Sequence, residues 1–389
     1  MKVIHICLAC FYIDGYAYQE NMLPKYHKKM GYEVSILASL VSYDEKGQPC
    51  LLEERDEYIN EYGIPVKRIP YRAKFSSIAK ILRIYNHNTY NYLIKEKPDI
   101  IFIHGCQFLD IKHIARYAKE NKRVKIYVDN HSDFSNSATN WLSKNIFHKI
   151  IWKYCAHLIE PFTKKFYGVL PARVDFLNKI YKIPKEKIKL LVMGADDDKV
   201  LDAKDESVRK MIREKYNIEK DDFLIITGGK IDNSKKQTLL LMQAVQQINK
   251  KNVKLIVFGS VVEELRDKIK TLADGVKVQY IGWIFSEDSY NYFAAADLVV
   301  FPGRHSVFWE QVVGQGIPMI VKHWDGTTHI NLGGNVKFLY GDSVEEIKNS
   351  IVPLHNKSDI YKNMRIIAET KGLEEFSYLK IAKKSIESL

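Results

Sequence analysis

Apolar and polar positions follow a repeating order along this chain. Short apolar runs rich in β-branched residues fall at Lys2–Ala9, Tyr32–Ser39, Pro65–Tyr71, Asp99–His104, Val124–Asn130, Phe166–Leu170 and Lys189–Met193, with helical spacing between most of them. Runs of this kind suit strands covered on both faces, and their alternation with helices predicts a mostly parallel sheet. The pattern restarts with Phe223–Thr227, Val253–Phe258, Val276–Ile281, Leu298–Phe301, Pro318–Val321 and Val336–Tyr340. Between the two sets lies GADDDKVLDAKDES, Gly194 to Ser207, a polar, acidic segment that reads as a linker. The expected fold is α/β, with two Rossmann-like domains facing one another across a cleft. Residues 1–195 form the first, residues 196–373 the second, and a C-terminal helix at about 374–389 can pack back on the first. Ligands in such sheets bind beyond the carboxyl ends of the strands.

Two segments put polar chemistry at those ends. In LIITGGKIDNSKKQTLLLMQAV, Leu224 to Val245, a strand ends in Gly228-Gly229, a short loop carries Lys230, Asp232 and Asn233, and a helix is expected to start near Ser234 with Lys235 and Lys236 in its first turn. Lysine at a helix N-terminus opposes the macrodipole, and a bound phosphate would remove the conflict; lysines that simply point into solvent are equally consistent with the pattern. The segment has no G-x-x-x-x-G-K-[ST] pattern and is not a P-loop. In DLVVFPGRHSVFWEQVVGQGIPMIV, Asp297 to Val321, an aromatic and polar cluster separates two buried runs. Ser306 is a candidate N-cap, which would put Glu310 and Gln311 in the second turn of a helix with Arg304 and His305 in the loop before it.

Together these segments resemble the family-4 retaining glycosyltransferases of GT-B fold. GGKIDNSKK is similar to the family's G-R-x-x-x-E-K-G loop, with Gly229 on the glycine, Lys230 on the arginine and Lys235 on the lysine, while Ser234 and Lys236 replace the usual Glu and Gly. VKVQYIGWIFSEDSYNYFAAADLVVFP resembles the segment in which a strand ends in Gly, a helix follows, and an A-D-x-x-x-x-P strand leads to the donor site. LVMGAD, Leu191 to Asp196, looks like the family's N-G-V-D turn. DIIFIHG and IYVDNHSD resemble first-domain strands whose terminal histidines, here His104 and His131, face the cleft. One departure stands out. The family's E-x7-E places Gly303 on its first glutamate and Gln311 on the second, which grips the ribose of the donor. Glu310 stands one residue early, and a small shift of the helix start would let its carboxylate take the ribose hydroxyls, with Gln311 contributing an amide.

The resemblance implies transfer of a sugar from a nucleoside diphosphate, with retained configuration and without a metal. Lys230 and Lys235 are then expected to stabilise the departing diphosphate, and His131 to hydrogen-bond the transferred sugar. Gly15 in YIDGYAYQEN matches a glycine-bearing loop that lets donor or acceptor approach the backbone. Gly229, His305, Ser306, Glu310 and Gln311 are assigned to the donor, and base selection is expected to run through backbone near Gly282 and Trp283. UDP is favoured over GDP on frequency, no other cofactor is expected, and the acceptor is expected to be a saccharide or a lipid-linked saccharide, in synthesis of a bacterial surface polysaccharide or glycan. A sugar-nucleotide epimerase and a non-catalytic donor-binding subunit are the alternatives.

Charge adds a partner. Residues 1–190 hold 31 Lys and Arg against 19 Asp and Glu, whereas residues 191–389 hold 28 of each, so the whole excess of +12 lies in the first half. That asymmetry points to something anionic beside the N-terminal domain. With no helix-turn-helix, RNA-binding signature or zinc spacing in view, nucleic acid is the weaker explanation. The segment from Tyr71 to Lys97 carries Ile78, Ile81, Leu82, Tyr85 and Tyr92 at helical spacing beside Arg72, Lys74, Lys80 and Arg83. Its cations suit anionic headgroups at the inner face of a cell membrane, while the apolar stripe equally suits packing on the sheet. No run of eighteen apolar residues predicts a span, and MKVIHICLACFYIDG reads as a first core strand rather than a signal peptide. Five cysteines without framework spacing fit a reducing cytoplasm. Cys7 and Cys10 form a C-x-x-C, but strand spacing would point them to opposite faces. Asp196-Asp197-Asp198 has a D-x-D spacing, yet the paired-domain pattern speaks against a metal there.

Overall fold

A computed structural model describes residues 1–43, 49–53, 57–72, 76–85, 89–355 and 358–387. The chain divides into two compact units, Met1–Val192 with the segment from Ile381 onward, and Met193–Lys380.

The first unit is built on a sheet of eight strands: β1 Lys2–Cys7, β2 Glu33–Ser39, β5 Tyr58–Ile59, β6 Pro65–Ile69, β7 Ile100–His104, β8 Lys125–Asn130, β9 Thr163–Gly168 and β10 Ile188–Leu190. Their spatial order is β10-β9-β8-β7-β1-β2-β6-β5, parallel except for the short edge strand β5. Ile4, Ile6, Ile101, Ile103, Ile126, Val128 and Phe166 form its core, buried by the helices. A separate antiparallel hairpin, β3 Val41–Tyr43 with β4 Pro49–Leu51, is an addition to the expected strands. The last helix, Tyr378–Ile386, places its residues from Ile381 on in this unit, where Tyr127 donates to the Ile386 carbonyl at 2.9 Å. Residues 374–380 belong to the second unit, where Ala195 N–H donates to the Phe376 carbonyl at 2.8 Å.

The second unit has six parallel strands: β11 Phe223–Gly228, β12 Val253–Phe258, β13 Val278–Tyr280, β14 Leu298–Phe301, β15 Met319–Lys322 and β16 Val336–Leu339, in the order β13-β12-β11-β14-β15-β16. Each sheet has a switch point. Connections run one way from β1 and then restart on its other side at β7; they do the same from β11 and restart at β14. At such a point the connections leave in opposite directions, and a crevice opens beyond the strand ends.

The expected linker is helical. Asp196 and Asp205 accept from the backbone N–H groups of Asp198 and Ser207, capping helices Asp197–Ala203 and Glu206–Lys215. The acidic run that reads as a solvated connection therefore satisfies helix N-termini and complements their dipoles. The Tyr71–Lys97 segment is also not one helix. It comprises Ser76–Leu82 and Thr89–Glu96, with Arg83 at a φ of 52° between them, so the apolar positions do not share one stripe. Tyr85 is buried and stacks on Tyr71, whereas Ile78 and Ile81 are 55% and 54% exposed. Lys74 lies outside the described residues.

Candidate functional site

In the second unit, β11 and β14 pair only at Ile225–Leu298 and Ile226–Val299 and then diverge. The opening is a pocket lined by Gly228, Gly229, Lys230, Lys235, Arg304 and Ser306, among others. Backbone packing there is close. Gly229 has a φ of 114°, and a Cβ on the neighbouring Gly259 would lie 1.9 Å from the Gly229 carbonyl oxygen. Gly259 N–H donates to the Gly282 carbonyl at 2.7 Å, which seats the Gly282–Phe285 loop beside the same strand end. Trp283 is 61% exposed and meets Phe285 edge to face at 4.6 Å between centroids.

Asp232 shapes the loop. It accepts from the Ser234 N–H and hydroxyl at 2.9 and 2.6 Å, and its carbonyl accepts from Lys235 N–H at 2.9 Å. The following helix starts only at Gln237, with Lys236 at its cap. Lys235 and Lys236 thus precede the helix instead of occupying its first turn, because the Asp232 turn holds the backbone out of helical geometry. Burial lowers the Lys235 ammonium's pKa, and Arg304 and Lys230 lower it further against the one opposing charge of Asp232. Three cations and one carboxylate around a glycine turn give the pocket a net positive charge. Arg304 is the residue that motif matching left out, since the position carries no fixed residue type in the pattern; its signal is its place directly after Pro302-Gly303 at a strand end.

The polar cluster beyond β14 divides between two faces. Arg304 and Ser306 line the pocket. His305 turns away, and its Nε2 donates to Glu310 Oε1 at 2.8 Å, while His329 Nε2 donates to the same oxygen at 2.9 Å. Glu310 is 0% exposed. Burial alone would raise its pKa, but the two histidines overcome it and hold the carboxyl down at about 2. The expectation that Glu310 presents its carboxylate to a ribose is therefore corrected: the group is enclosed, with Oε2 buried and without a partner. Of the three side chains His305 is the most exposed, at 12%. Gln311 is corrected too. Its amide donates to Ser289 Oγ at 2.9 Å, tying one helix to the next. Ser306 is not the N-cap; the helix spans Phe308–Gly314 with Val307 at the cap, which leaves the Ser306 side chain to the pocket.

In the first unit, His104 ends β7, Asp129 lies on β8 and His131 follows it. Asp129 Oδ2 accepts from His104 Nδ1 at 2.8 Å and lies 3.4 Å from His131 Nε2. Burial would raise the Asp129 pKa, yet the two histidines lower it strongly, and Asp129 in turn raises the pKa of His131 against burial. His131 is 31% exposed, so it is the member of the group open to a ligand. These three residues bring ligand-type atoms within 4.8 Å of one another. Both ring nitrogens of His104 are engaged in hydrogen bonds, to Asp129 and to His5, so the group forms a hydrogen-bonded chain. Gly15 has a φ of 78° with open space around it, and its N–H donates to Glu61 at 2.8 Å. Cys7 ends β1, so Cys10 lies past the strand, and the strand spacing behind the expectation of opposite faces does not extend to it.

Two Rossmann-like sheets, each with its own switch point, define the GT-B fold. Residues 222–356 match the family model described as Glycosyl transferases group 1. The chain is similar in structure to HepE of Anabaena in complex with UDP, with a TM-score of 0.67, 15% identity, and 99% and 98% of the two chains covered. It is also similar to the UDP-GlcNAc 2-epimerase of Neisseria meningitidis bound to UDP-GlcNAc, with a TM-score of 0.64, 14% identity and 99% of each chain covered. Among curated proteins, mannosylfructose-phosphate synthase of Agrobacterium fabrum is 21% identical over 250 residues, 60% of this chain. The match spans about half of that relative's length, 53%.

Proposed function

We propose that this chain is a glycosyltransferase that moves a sugar from a nucleoside diphosphate, UDP by preference, to a saccharide or lipid-linked acceptor with retention of configuration. The observation that carries the reading is the pocket at the β11–β14 divergence, where Lys230, Lys235 and Arg304 gather about Gly229. Similar structures that hold UDP and UDP-GlcNAc support a uridine nucleotide. In this reading the diphosphate lies against Gly229 and the lysines, His305 takes a donor hydroxyl with its ring fixed by Glu310, and the loop at Gly282 and Trp283 meets the base. The leaving diphosphate gains charge in the transition state, so cations held in place beforehand lower the barrier. His131 hydrogen-bonds the transferred sugar, Gly15 lets substrate approach the backbone, and the reaction needs no metal. Thermal shift with a panel of nucleoside diphosphates tests the first step: a ligand at a hundred times its Kd raises stability by about 2.7 kcal/mol. UDP without effect would count against the reading.

An epimerase of the same fold keeps a second reading open. Incubation with UDP-GlcNAc alone separates the two, because an epimerase produces a new sugar nucleotide without acceptor.

For the first domain, the reading includes peripheral contact with an anionic membrane. Ile78 and Ile81 stand exposed beside the exposed Lys80, an apolar and basic edge suited to headgroups. Arg83 is excluded from that role, since it donates to the Gln107 carbonyl at 2.7 Å and lies over Trp152. Among the described residues no helix is long and apolar enough to cross a membrane.

A further inference from the structure

The first unit contains a line of buried hydrogen-bonding groups that the proposed reaction does not call for. Ser385 Oγ lies 3.0 Å from His27 Nε2, His27 Nδ1 lies 3.0 Å from His5 Nε2, His5 Nδ1 lies 2.9 Å from His104 Nε2, and His104 Nδ1 lies 2.8 Å from Asp129 Oδ2. All five residues are 0% exposed. They come from the last helix, the helix Gln19–Lys29, β1, β7 and β8, so only the folded sheet brings them together. Burial lowers the pKa of His5 well below the ordinary histidine value and that of His27 to about 4, which leaves one proton on each of these rings at neutral pH.

A proton count then restricts the chain. Each link needs one proton, and a carboxylate can only accept. With one proton on His104 as well, the three rings cannot fill all four links, and the remaining proton then comes from the Ser385 hydroxyl. When Ser385 donates to His27, each ring passes its Nδ1 proton on, and the last reaches an ionised Asp129. Ser385 has one competing acceptor, the Ala382 carbonyl at 2.8 Å, which is also 3.0 Å from His27 Nε2. When Ser385 turns to that carbonyl, His27 donates from Nε2, every ring reverses, and His104 Nδ1 faces Asp129 with no proton between them. That order is filled only by an added proton at the acid end. The orientation of one hydroxyl and the charge at Asp129 are thus tied.

We propose that Ser385, His27, His5 and His104 act as one polarised chain, from hydroxyl to carboxylate, which keeps Asp129 ionised and thereby keeps a proton on His131. The four are positioning residues for His131. Other charges face the same end: Glu20 from the helix Gln19–Lys29 favours the His131 cation, Arg173 opposes it, and the Cys7 and Cys10 thiols lie near Asp129. Asp129 is the nearest of them to His131, at 3.4 Å. That His131 serves a bound sugar rests on the function proposed above; the order of the chain does not.

Nitrogen-15 histidine NMR on the full chain tests this directly, because two-bond couplings report which ring nitrogen carries the proton. The expected wild-type spectrum has the Nδ1–H form, the minor one for free histidine in water, at His5, His27 and His104, with His131 titrating above about 6.5. In Ser385→Ala, His27 and His5 should switch to Nε2–H and the His131 midpoint should fall by about one pH unit or more. Ser385→Thr should keep the wild-type pattern. Nε2–H at His5 or His27 in the wild type overturns the proposal, as does an unchanged His131 midpoint in Ser385→Ala. If Ser385→Ala does not fold, the wild-type tautomers alone decide. Expected tautomers in a protein without transferase activity would support the chain and strike only the function proposed above.

Discussion

Lys235 and Glu310 show how much a residue's role depends on what surrounds it. Lys235 is held by the Asp232 turn next to Lys230 and Arg304, and its lowered pKa expresses the cost of crowding cations in a half-buried pocket. Lys235→Ala is expected to reduce kcat by roughly 10²–10³-fold, the usual cost of removing one stabilising donor, with circular dichroism and melting temperature near wild type. Turnover equal to wild type would remove Lys235 from the reaction. Glu310 bears on stability as well as on the site. Its folded pKa of about 2 against an ordinary 4.5 means that its contribution is fully present above pH 4.5 and is lost as pH falls through 2. That interval corresponds to about 3 kcal/mol. Urea denaturation should show Glu310→Gln less stable than wild type at pH 6, and the gap should narrow by about 1 kcal/mol at pH 3.5. A gap independent of pH would mean that the histidines do not stabilise the charge.

At the scale of elements, the strand ends carry the site through their glycines. Gly229 needs a left-handed φ, but a Cβ there would meet only ordinary contacts, the nearest at 3.7 Å. Gly259 has both a φ of 128° and a backbone oxygen 1.9 Å from any Cβ. Gly229→Ala is therefore expected to cost about 1–3 kcal/mol through strain alone, and Gly259→Ala more than about 4, since backbone must move. Chemical denaturation of the two variants gives the comparison, and equal costs would refute the packing argument. The thirteen long apolar runs were legible as strands because burial on both faces writes a continuous hydrophobic signal. β3, β4 and β5 were not, because each is short and partly exposed and forms no apolar run of its own. The acidic segment after Gly194 was misleading for a related reason: Asp serves loops and helix caps alike, and composition does not tell the two apart.

For the whole molecule, the relevant quantity is the charge asymmetry, with the entire excess of +12 in residues 1–190. Field strength near a surface depends on such sums more than on single pairs. Liposome flotation is expected to show binding that requires anionic lipid and weakens as salt rises, since screening shortens the reach of the field. Lys80→Glu should weaken it further, and binding indifferent to lipid charge would count against membrane contact. A C-terminal helix packing back on the first domain was expected, but which of its residues do so could not be read from its sequence. Its amphipathic spacing is that of many surface helices, and it is the bond that Tyr127 donates to the Ile386 carbonyl and the contact of Ser385 with His27 that assign its end to the first unit.

The sequence by itself determined the class of fold, the succession of strands along the chain, and the two segments that gather polar residues beyond strand ends. These follow from local periodicity and from spacing along the chain. Only the tertiary structure decided which polar groups are presented and which are enclosed: that Arg304 joins the lysines, that Glu310 is sealed behind His305 and His329, and that Gln311 ties two helices. It also set His5, His27, His104 and Asp129 in line with Ser385. Residues up to 358 positions apart meet in that line, and the free energy of a buried polar group depends on the partner it meets, which no local pattern encodes.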